Sequence, residues 1–362
     1  MRLCVNWLPV SPDLTRRLAA AVERAGFYGL GIGDSPNYGE LYAACADALA
    51  ATTRISVITS VTNPVTRHVS VPASAARTFA ASYPGRFVLG FGRGDSAVRT
   101  FGLRPATTAV LADTLRRLRA EVPATPLLVA ASGPVTAALA GRHADGVIAG
   151  VGTDPEAVAE IRAAAGQAGP ASGTAPRPAA GVWASVRLAV ADSPAELAAL
   201  RARLVPRAVS ASHFAFSGGL DGKHVPAAFR DVMAERYAAY DYAWHGRSGK
   251  SPNAAMFADR PDIEDYLLSR FAVVGTADDC RRRLAGLHGQ VDGIFLSLLF
   301  EDVLDQFARV AGLFGPGELT RTGPGSGIAE TGVAETTVAE TGVAGDSVSR
   351  ARAAATGRAG QC

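Results

Sequence analysis

The stretch that most constrains this chain runs from Arg54 to Ser96. It opens with the β-branched run Ile55-Ser56-Val57-Ile58-Thr59, whose composition reads as a buried strand. A polar turn follows, Thr62-Asn63-Pro64-Val65-Thr66-Arg67-His68, and then an alanine-rich helical segment over Val71 to Ser82. A second apolar strand, Arg86 to Gly90, feeds the glycine loop Gly92-Arg93-Gly94-Asp95. Together these pieces make one βαβ unit with both informative loops at carboxyl ends of parallel strands. In parallel α/β folds those ends are where ligands bind.

The same alternation extends in both directions. Arg2 to Trp7 is a short apolar strand, and Ser11-Pro12-Asp13 starts a helix with Ser as N-cap and Pro at the first position. Tyr28 to Gly33 is a strand ending in Asp34-Ser35-Pro36-Asn37-Tyr38-Gly39, and Glu40 to Thr52 is helical. Beyond the central unit, a helix at Thr108 to Ala120 precedes a strand at Pro126 to Ala130, which runs into Ala131-Ser132-Gly133-Pro134. A helix ending near His143 leads to the strand Asp145 to Ala149, then Gly150-Val151-Gly152 and a helix from about Pro155. Gly166 to Gly181, rich in Gly, Ala and Pro, reads as a surface loop. Trp183 to Val190 alternates as a seventh strand, followed by a helix from Ser193 through Leu204.

Val209 to Pro261 breaks the rhythm with two helical patterns and a basic stretch, and reads as an insertion before the last unit. Arg270 to Gly275 then leads into a helix at Thr276 to Leu287, Val291 to Leu298 is the eighth strand, and Glu301 to Phe314 closes the pattern. Eight strands each trailed by a helix predict a (β/α)8 TIM barrel over residues 1–315. The competing open doubly wound sheet lacks the early GxGxxG of a dinucleotide fold. From 316 to 362 the composition changes: AETGV, AETTV and AETGV repeat every five residues, with no aromatic side chain. Such a segment cannot bury enough surface to fold alone, so a disordered tail is expected.

Composition narrows the function. Hydrophobic residues make up 48 % and charged residues 19 %, enough for a sizeable core. The net charge of +3 is not gathered into Lys/Arg runs, which gives nucleic-acid binding little support. No uninterrupted apolar stretch is long enough to span a bilayer, and MRLCVNWLPV does not read as a secretory signal. Cys4, Cys45, Cys280 and Cys362 lie far apart with no zinc spacing, so reduced thiols in a cytoplasmic protein are expected. There is no GxSxG elbow and no HExxH, and hydrolase chemistry is poorly supported.

The candidate residues sit at strand ends. Asp34 reads either as a carboxylate that orients a ring or moves a proton, or as the cap of the Asp-Ser-Pro turn. Ser60-Val61-Thr62 reads as a bulge pressed against a planar cofactor or as an ordinary strand end. Asn63, Arg67 and His68 lie beside it, and Arg67 reads as the partner of a carboxylate or phosphate or as a cap of the sheet. Gly92 to Asp95 resembles a weak anion loop, although as a lone glycine motif a plain turn is the simpler reading. Ala131-Ser132-Gly133 and Gly150-Val151-Gly152, in neighbouring units, expose backbone N–H groups to an anion or else permit close helix–strand packing. His213, His224 and His288 have no partners at ligand spacing, and His245, in the basic insertion, reads as a solvated loop residue or as a contact for an acidic ligand tail.

At this point the motifs TSVTNPVTRH, YPGRFVLGFGRGD, LVAASGP and GRHADGVIAG, in this order, resemble the bacterial-luciferase-like flavin and deazaflavin oxidoreductases. The first two look most like the branch of methylenetetrahydromethanopterin reductase and related coenzyme F420 enzymes. The resemblance covers about residues 1–315. It implies a non-prolyl cis peptide at Ser60-Val61 backing the deazaflavin ring, with Thr62, Asn63, Gly92 and Gly94 around it. It places the cofactor phosphate at Ala130, Ala131, Ser132, Gly133, Ala149 and Gly150, and Asp34 near the ring. Alcohol-oxidising members carry His after that aspartate, where this chain has Ser35, so reduction of a C=N or C=C bond is implied over alcohol oxidation.

The resemblance also implies a small-molecule substrate and, by analogy, a homodimer. An FMN-dependent two-component monooxygenase is the alternative within the fold. A non-catalytic barrel kept as a binding protein is the alternative outside it, and it predicts a filled cavity. Specificity is expected in the insertion, whose Arg247 and Lys250 are placed to meet an acidic cofactor tail.

Overall fold

The computed structural model describes residues 2–167, 180–216, 219–245, 251–315 and 318–319. Arg247 and Lys250 therefore lie outside the described residues, as do most of the Gly166–Gly181 loop and nearly all of the expected tail.

Among the described residues there are nine strands: β1 Arg2–Trp7, β2 Gly29–Ile32, β3 Ser56–Thr59, β4 Phe87–Phe91, β5 Leu127–Ala131, β6 Gly146–Ala149, β7 Gly181–Val190, β8 Ala272–Gly275 and β9 Gly293–Ser297. The helices between them are α1 Pro12–Arg24, α2 Leu41–Ala50, α3 Ser70–Ser82, α4 Ser96–Arg99, α5 Thr108–Glu121, α6 Pro134–His143 and α7 Pro155–Gln167. After β7 come α8 Pro194–Ala215, α9 Ala227–Ala238, α10 Pro261–Phe271, α11 Ala277–Ala285 and α12 Val303–Ala311.

All pairings are parallel. The strands run β6-β5-β4-β3-β2-β1-β9-β7, and β6 pairs back onto β7 to close an eight-stranded barrel. This excludes the open doubly wound sheet. β8 is an addition that pairs only with the last four residues of β7, Arg187 to Val190, and lies outside the ring. The eighth barrel strand is thus β9, inside the Val291–Leu298 segment expected for it, whereas β8 falls in Arg270–Gly275, which was expected only as the lead into a helix. It follows directly on α10, and its pairing with Arg187 to Val190 of β7 is what makes this buried segment a strand.

The barrel interior is plugged by one inward residue from most strands. Cys4, Ile58, Val88, Leu128, Ile148, Trp183 and Phe295 pack together there. Residues of opposite parity, such as Val5, Leu30, Val57, Leu89, Val129, Val147 and Ile294, face the helical ring in a larger core. That alternation fixes which side chains point into the barrel one layer above the plug. A separate core joins α8, α9 and α10 around Leu204, Met233, Phe257, Leu267 and Phe271.

Helix starts follow the local chemistry. Ser11 accepts from the Leu14 N–H ahead of Pro12, Ser193 accepts from the Glu196 N–H ahead of Pro194, and Thr276 with Asp279 forms a capping box. One helix is longer than expected. α8 runs on past Leu204 through Pro206 to Ala215, because Leu204, Ala208, Val209 and Ala211 continue its buried face. The break in rhythm therefore starts after Ala215 rather than at Val209.

Candidate active site

The mouth at the carboxyl ends of the strands is built from three groups of residues. The first is the β2–β4 flank. Asp34, directly after β2, accepts two bonds from the Arg67 guanidinium, from Nε at 2.8 Å and Nη2 at 2.9 Å. Thr62 Oγ1 donates a third at 2.7 Å, and Arg67 also reaches Glu40 at 2.8 Å. The Asp34 side chain keeps 11 % of its surface exposed and that of Arg67 20 %, so this bidentate pair is largely shielded. The Asp34 hydrogen bonds push the Arg67 guanidinium further up from its already high value. Arg67 is thus the partner of a carboxylate of this chain, and Asp34 has a clamped orientation rather than an N-cap role.

The Ser60–Val61 peptide bond is cis, the geometry the resemblance implies. Ser60 N–H donates to the Ile32 carbonyl at 2.6 Å, and the chain continues through Thr62, whose N–H donates to the Gly90 carbonyl. Val61 leans on Gly90 of β4 and on Gly92 just beyond it: a Cβ added at Gly90 would come within 3.2 Å of Val61 Cγ1, and one at Gly92 within 3.0 Å of Val61 Cγ2. Asn63 is only 1 % exposed, and its amide is engaged within the turn, accepting from the Val65 and Thr66 N–H groups and donating to Thr66 Oγ1. Gly94, at φ +79°, has no room for a side chain against Asn63 and Val98. Asn63 and Gly94 therefore lock two loops together, while Gly92 and Val61 shape the wall. Ser35 is half-buried, its carbonyl accepting from the Tyr38 N–H at 3.2 Å.

The second group lies at the ends of β5 and β6. Gly133 is the N-cap of α6, and the Gly150 N–H donates to the Ala131 carbonyl at 2.9 Å, so the two small-residue loops abut. A Cβ at Gly150 would sit 3.1 Å from Ser132 Oγ. Ala130, Ala131 and Ala149 bring no bulk to the strand ends below. Over this cradle comes Lys223, from the segment between α8 and α9, whose Nζ donates to the Ser132 carbonyl. Burial, and then the nearby Arg270, push the Lys223 ammonium down. Arg270 is 4 % exposed and ties the cradle to that segment, donating to the Val151 carbonyl at 3.2 Å and the Lys223 carbonyl at 2.8 Å.

The third group is on β1, β9 and β7. Asn6, Ser297 and Arg187 are register partners on three adjacent strands, one layer above the plug. Asn6 Nδ2 donates to Ser297 Oγ at 3.1 Å, while Asn6 Oδ1 is buried without a hydrogen-bond partner. Burial pushes the Arg187 guanidinium down to about 10. Above it, His213 stacks on Tyr240 at 3.9 Å, and His245 Nδ1 meets Tyr240 OH at 2.8 Å and Ser210 Oγ at 3.1 Å. Burial holds the His213 imidazole down at about 4 and that of His245 at about 3. His245 is therefore packed against the mouth, its carbonyl accepting from Asn37 Nδ2 at 3.3 Å, and is no freely solvated loop residue.

Sequence reasoning missed Asn6, Arg187, Lys223 and Arg270. Strand parity turns the first two inward, but each shares that face with another polar residue, Arg2 on β1 and Ser185 on β7, so neither stood out. For Lys223 and Arg270 the contact with the cradle spans too much chain for any local pattern. Among the described residues no cluster of three or more His, Cys, Asp or Glu side chains is placed to hold a metal ion, and no helix is long and apolar enough to cross a membrane.

The comparisons with known proteins can be set against this geometry. The family model described as "Luciferase-like monooxygenase" matches residues 8–120 and 106–292. Among solved structures, the coenzyme F420 dependent tetrahydromethanopterin reductase from Methanopyrus kandleri aligns at TM-score 0.62 and 17 % identity, over 85 % of this chain and 97 % of that one. An F420-dependent secondary alcohol dehydrogenase, in complex with an F420-acetone adduct, aligns at TM-score 0.58 and 15 % identity, over 87 % and 99 %. EDTA monooxygenase from Chelativorans sp. BNC1 aligns at TM-score 0.60 and 15 % identity, over 90 % and 96 %. No curated protein matches the sequence.

Proposed function

This chain belongs to the luciferase-like monooxygenase family, and we propose that it is a coenzyme F420-dependent oxidoreductase acting on a small organic substrate. The observation that carries the reading is the convergence of one motif on one carboxylate. Thr62 and Arg67, both from the turn after β3, fix Asp34 at the mouth beside Ser60 and Val61. The named solved relatives include two F420-dependent enzymes, which agrees with it.

The residues present fit such a group. Small side chains line the strand ends, and a side chain at either glycine would crowd that wall, a Cβ on Gly92 lying 3.0 Å from Val61 Cγ2 and one on Gly150 3.1 Å from Ser132 Oγ. The cofactor phosphate would take the N–H groups at Ser132 and Gly133 together with Lys223, beside the side-chain-free Gly150, a helix N-terminus reinforced by a cation. Ser60, Val61, Thr62 and Gly92 would form the wall for the ring. When bound, the deazaflavin supplies or accepts the hydride, and the protein contributes binding and electrostatics.

The chain's own groups point to reduction. An alcohol oxidation needs a proton acceptor, and Ser35 cannot serve as one near neutral pH. The imidazoles of His213 and His245, held at about 4 and about 3, are weak bases. Asp34 is already triply hydrogen-bonded. Reduction of a C=N or C=C bond asks less of these groups.

A second reading keeps the fold and uses reduced FMN with oxygen. It is favoured by the family's own description and by the likeness to EDTA monooxygenase. Absorbance titration of the full chain with each cofactor separates the two. Saturable binding of F420 is expected, and tight FMN binding with no F420 binding would overturn the proposal.

A further inference from the structure

The row of inward-facing side chains on β1, β9 and β7 is used by neither the Asp34 clamp nor the anion cradle. Asn6 pairs in register with Ser297, and Ser297 with Arg187, so three polar groups stand abreast above an apolar plug. Two of them have no partner among the described residues. Asn6 Oδ1 is a buried acceptor with no donor. The ionisable groups acting on Arg187 are Arg207 and Tyr240, and His245 lies close enough to be affected by it. None of these is a carboxylate.

The contrast with Arg207 is instructive. That arginine, half-buried like Arg187 and close enough to act on it, has Glu301 at 3.4 Å and lies over the Phe300 ring at 4.6 Å. Asp95, the carboxylate that acts on Tyr240, is engaged with Arg99 at 2.5 Å. A shielded guanidinium without an anion is costly, and its planar fork matches a carboxylate better than any other small group. The cradle at β5 and β6 has its own cation, Lys223, which is perturbed by Arg270 and Glu160 and not by Arg187.

We propose that Arg187 is a substrate-anchoring residue, and that the substrate of this site is a small carboxylic acid. Its carboxylate docks on the guanidinium, and an N–H or O–H elsewhere on the molecule meets Asn6 Oδ1. The inference rests on the proposed function for the reaction and adds the class of its substrate.

The test uses the full chain and a matched pair of probes, 4-fluorobenzoate and 4-fluorobenzamide, followed by ¹⁹F NMR, with F420 titrated in parallel. The wild type is expected to bind the acid at least ~10-fold tighter than the amide, an order of magnitude set by one charge-assisted fork. Arg187→Met should erase that preference and leave F420 binding in place, while Arg187→Lys should keep part of it. Equal binding of acid and amide by the wild type overturns the proposal, as does a preference that survives in Arg187→Met. Loss of F420 binding in Arg187→Met with the acid preference retained also overturns it, since the cation would then serve the cofactor. Should the wild type bind no F420 yet show an Arg187-dependent acid preference, the anchoring site stands and only the cofactor reading falls.

Discussion

The two flanks of the barrel mouth satisfy their charges in opposite ways. On the β2–β4 flank every strong group is met from within the chain: Asp34 by Arg67 and Thr62, Arg67 also by Glu40, and Asn63 by its own turn. On the β7–β9–β1 flank a guanidinium and an amide oxygen face one another's strands without partners. A closed network holds its geometry before any ligand arrives, whereas an open one gains its partners only from outside. Under the proposed function the first flank would be a scaffold for the ring wall and the second a receptor for something that comes and goes.

The sharpest way to break this comparison is to remove one arginine from each flank. Arg67→Ala leaves the shielded Asp34 carboxylate without its fork, and should cost about 3 kcal/mol of stability. Arg187→Met removes a cation that no carboxylate among the described residues neutralises, and should leave stability unchanged or raise it by about 1 kcal/mol. Guanidinium denaturation of both variants checks it. A cost for Arg187→Met as large as that for Arg67→Ala would mean that the second flank is as self-contained as the first.

A smaller effect concerns the roof of the open flank. His213 is 6 % exposed, its Nδ1 is without a partner, and its folded-state value is held at about 4. In the unfolded chain it takes up a proton below about 6.5. Between these values the unfolded state binds more protons, so stability falls as pH drops through that window. It does not change on this account at higher pH. The loss at the acid end is of order 2–3 kcal/mol. His213→Phe keeps a ring for Tyr240 to stack on, and should roughly halve the slope of the stability profile between pH 6.5 and 4, the rest belonging to His245. An unchanged slope would show that protonation elsewhere governs the acid response. The physical reason to expect the effect is that a charged His213 would add a further cation beside Arg99, on the flank that already holds Arg187 and Arg207.

What the sequence made legible follows the same division. The β2–β4 flank was readable because its parts are close in the chain: strand, turn, helix and glycine loop fall within Arg54 to Ser96, and each has a local signature. Asp34 was visible as a carboxylate at a strand end, although its clamp to Arg67 was open among several partners. The barrel itself was readable because its strands are apolar runs separated by capped helices. The open flank was not. Asn6, Ser297 and Arg187 come together only through barrel closure, between β1 and the last strands, and each looks like an ordinary polar residue in its own strand. The course of α8 through Pro206 was hidden because a proline inside a helix normally marks its end, and here continued burial of Ala208, Val209 and Ala211 outweighs it.

The third region of the mouth, the cradle of β5 and β6, lies between these extremes and sharpens the comparison furthest. Lys223 spans from the segment before α9 to the Ser132 carbonyl, so it is met by the chain, but by a neutral oxygen rather than by an anion. A Cβ built on Gly133 would lie 3.1 Å from its Nζ, which puts the ammonium directly above the N-cap of α6. If the lysine merely caps the loop, Lys223→Met should lower stability and leave phosphate-bearing ligands unaffected. If it belongs to the open class with Arg187, stability should hold and F420 should bind about 10-fold more weakly, with a shallower dependence on salt because one screened charge pair is gone. The second outcome is the one expected. The ammonium has been pushed down by burial and by Arg270, and a carbonyl dipole compensates that cost less well than a phosphate would. Titrating F420 into wild type and Lys223→Met at two ionic strengths distinguishes the cases. Equal affinities with equal salt slopes would move Lys223 into the closed class with Arg67.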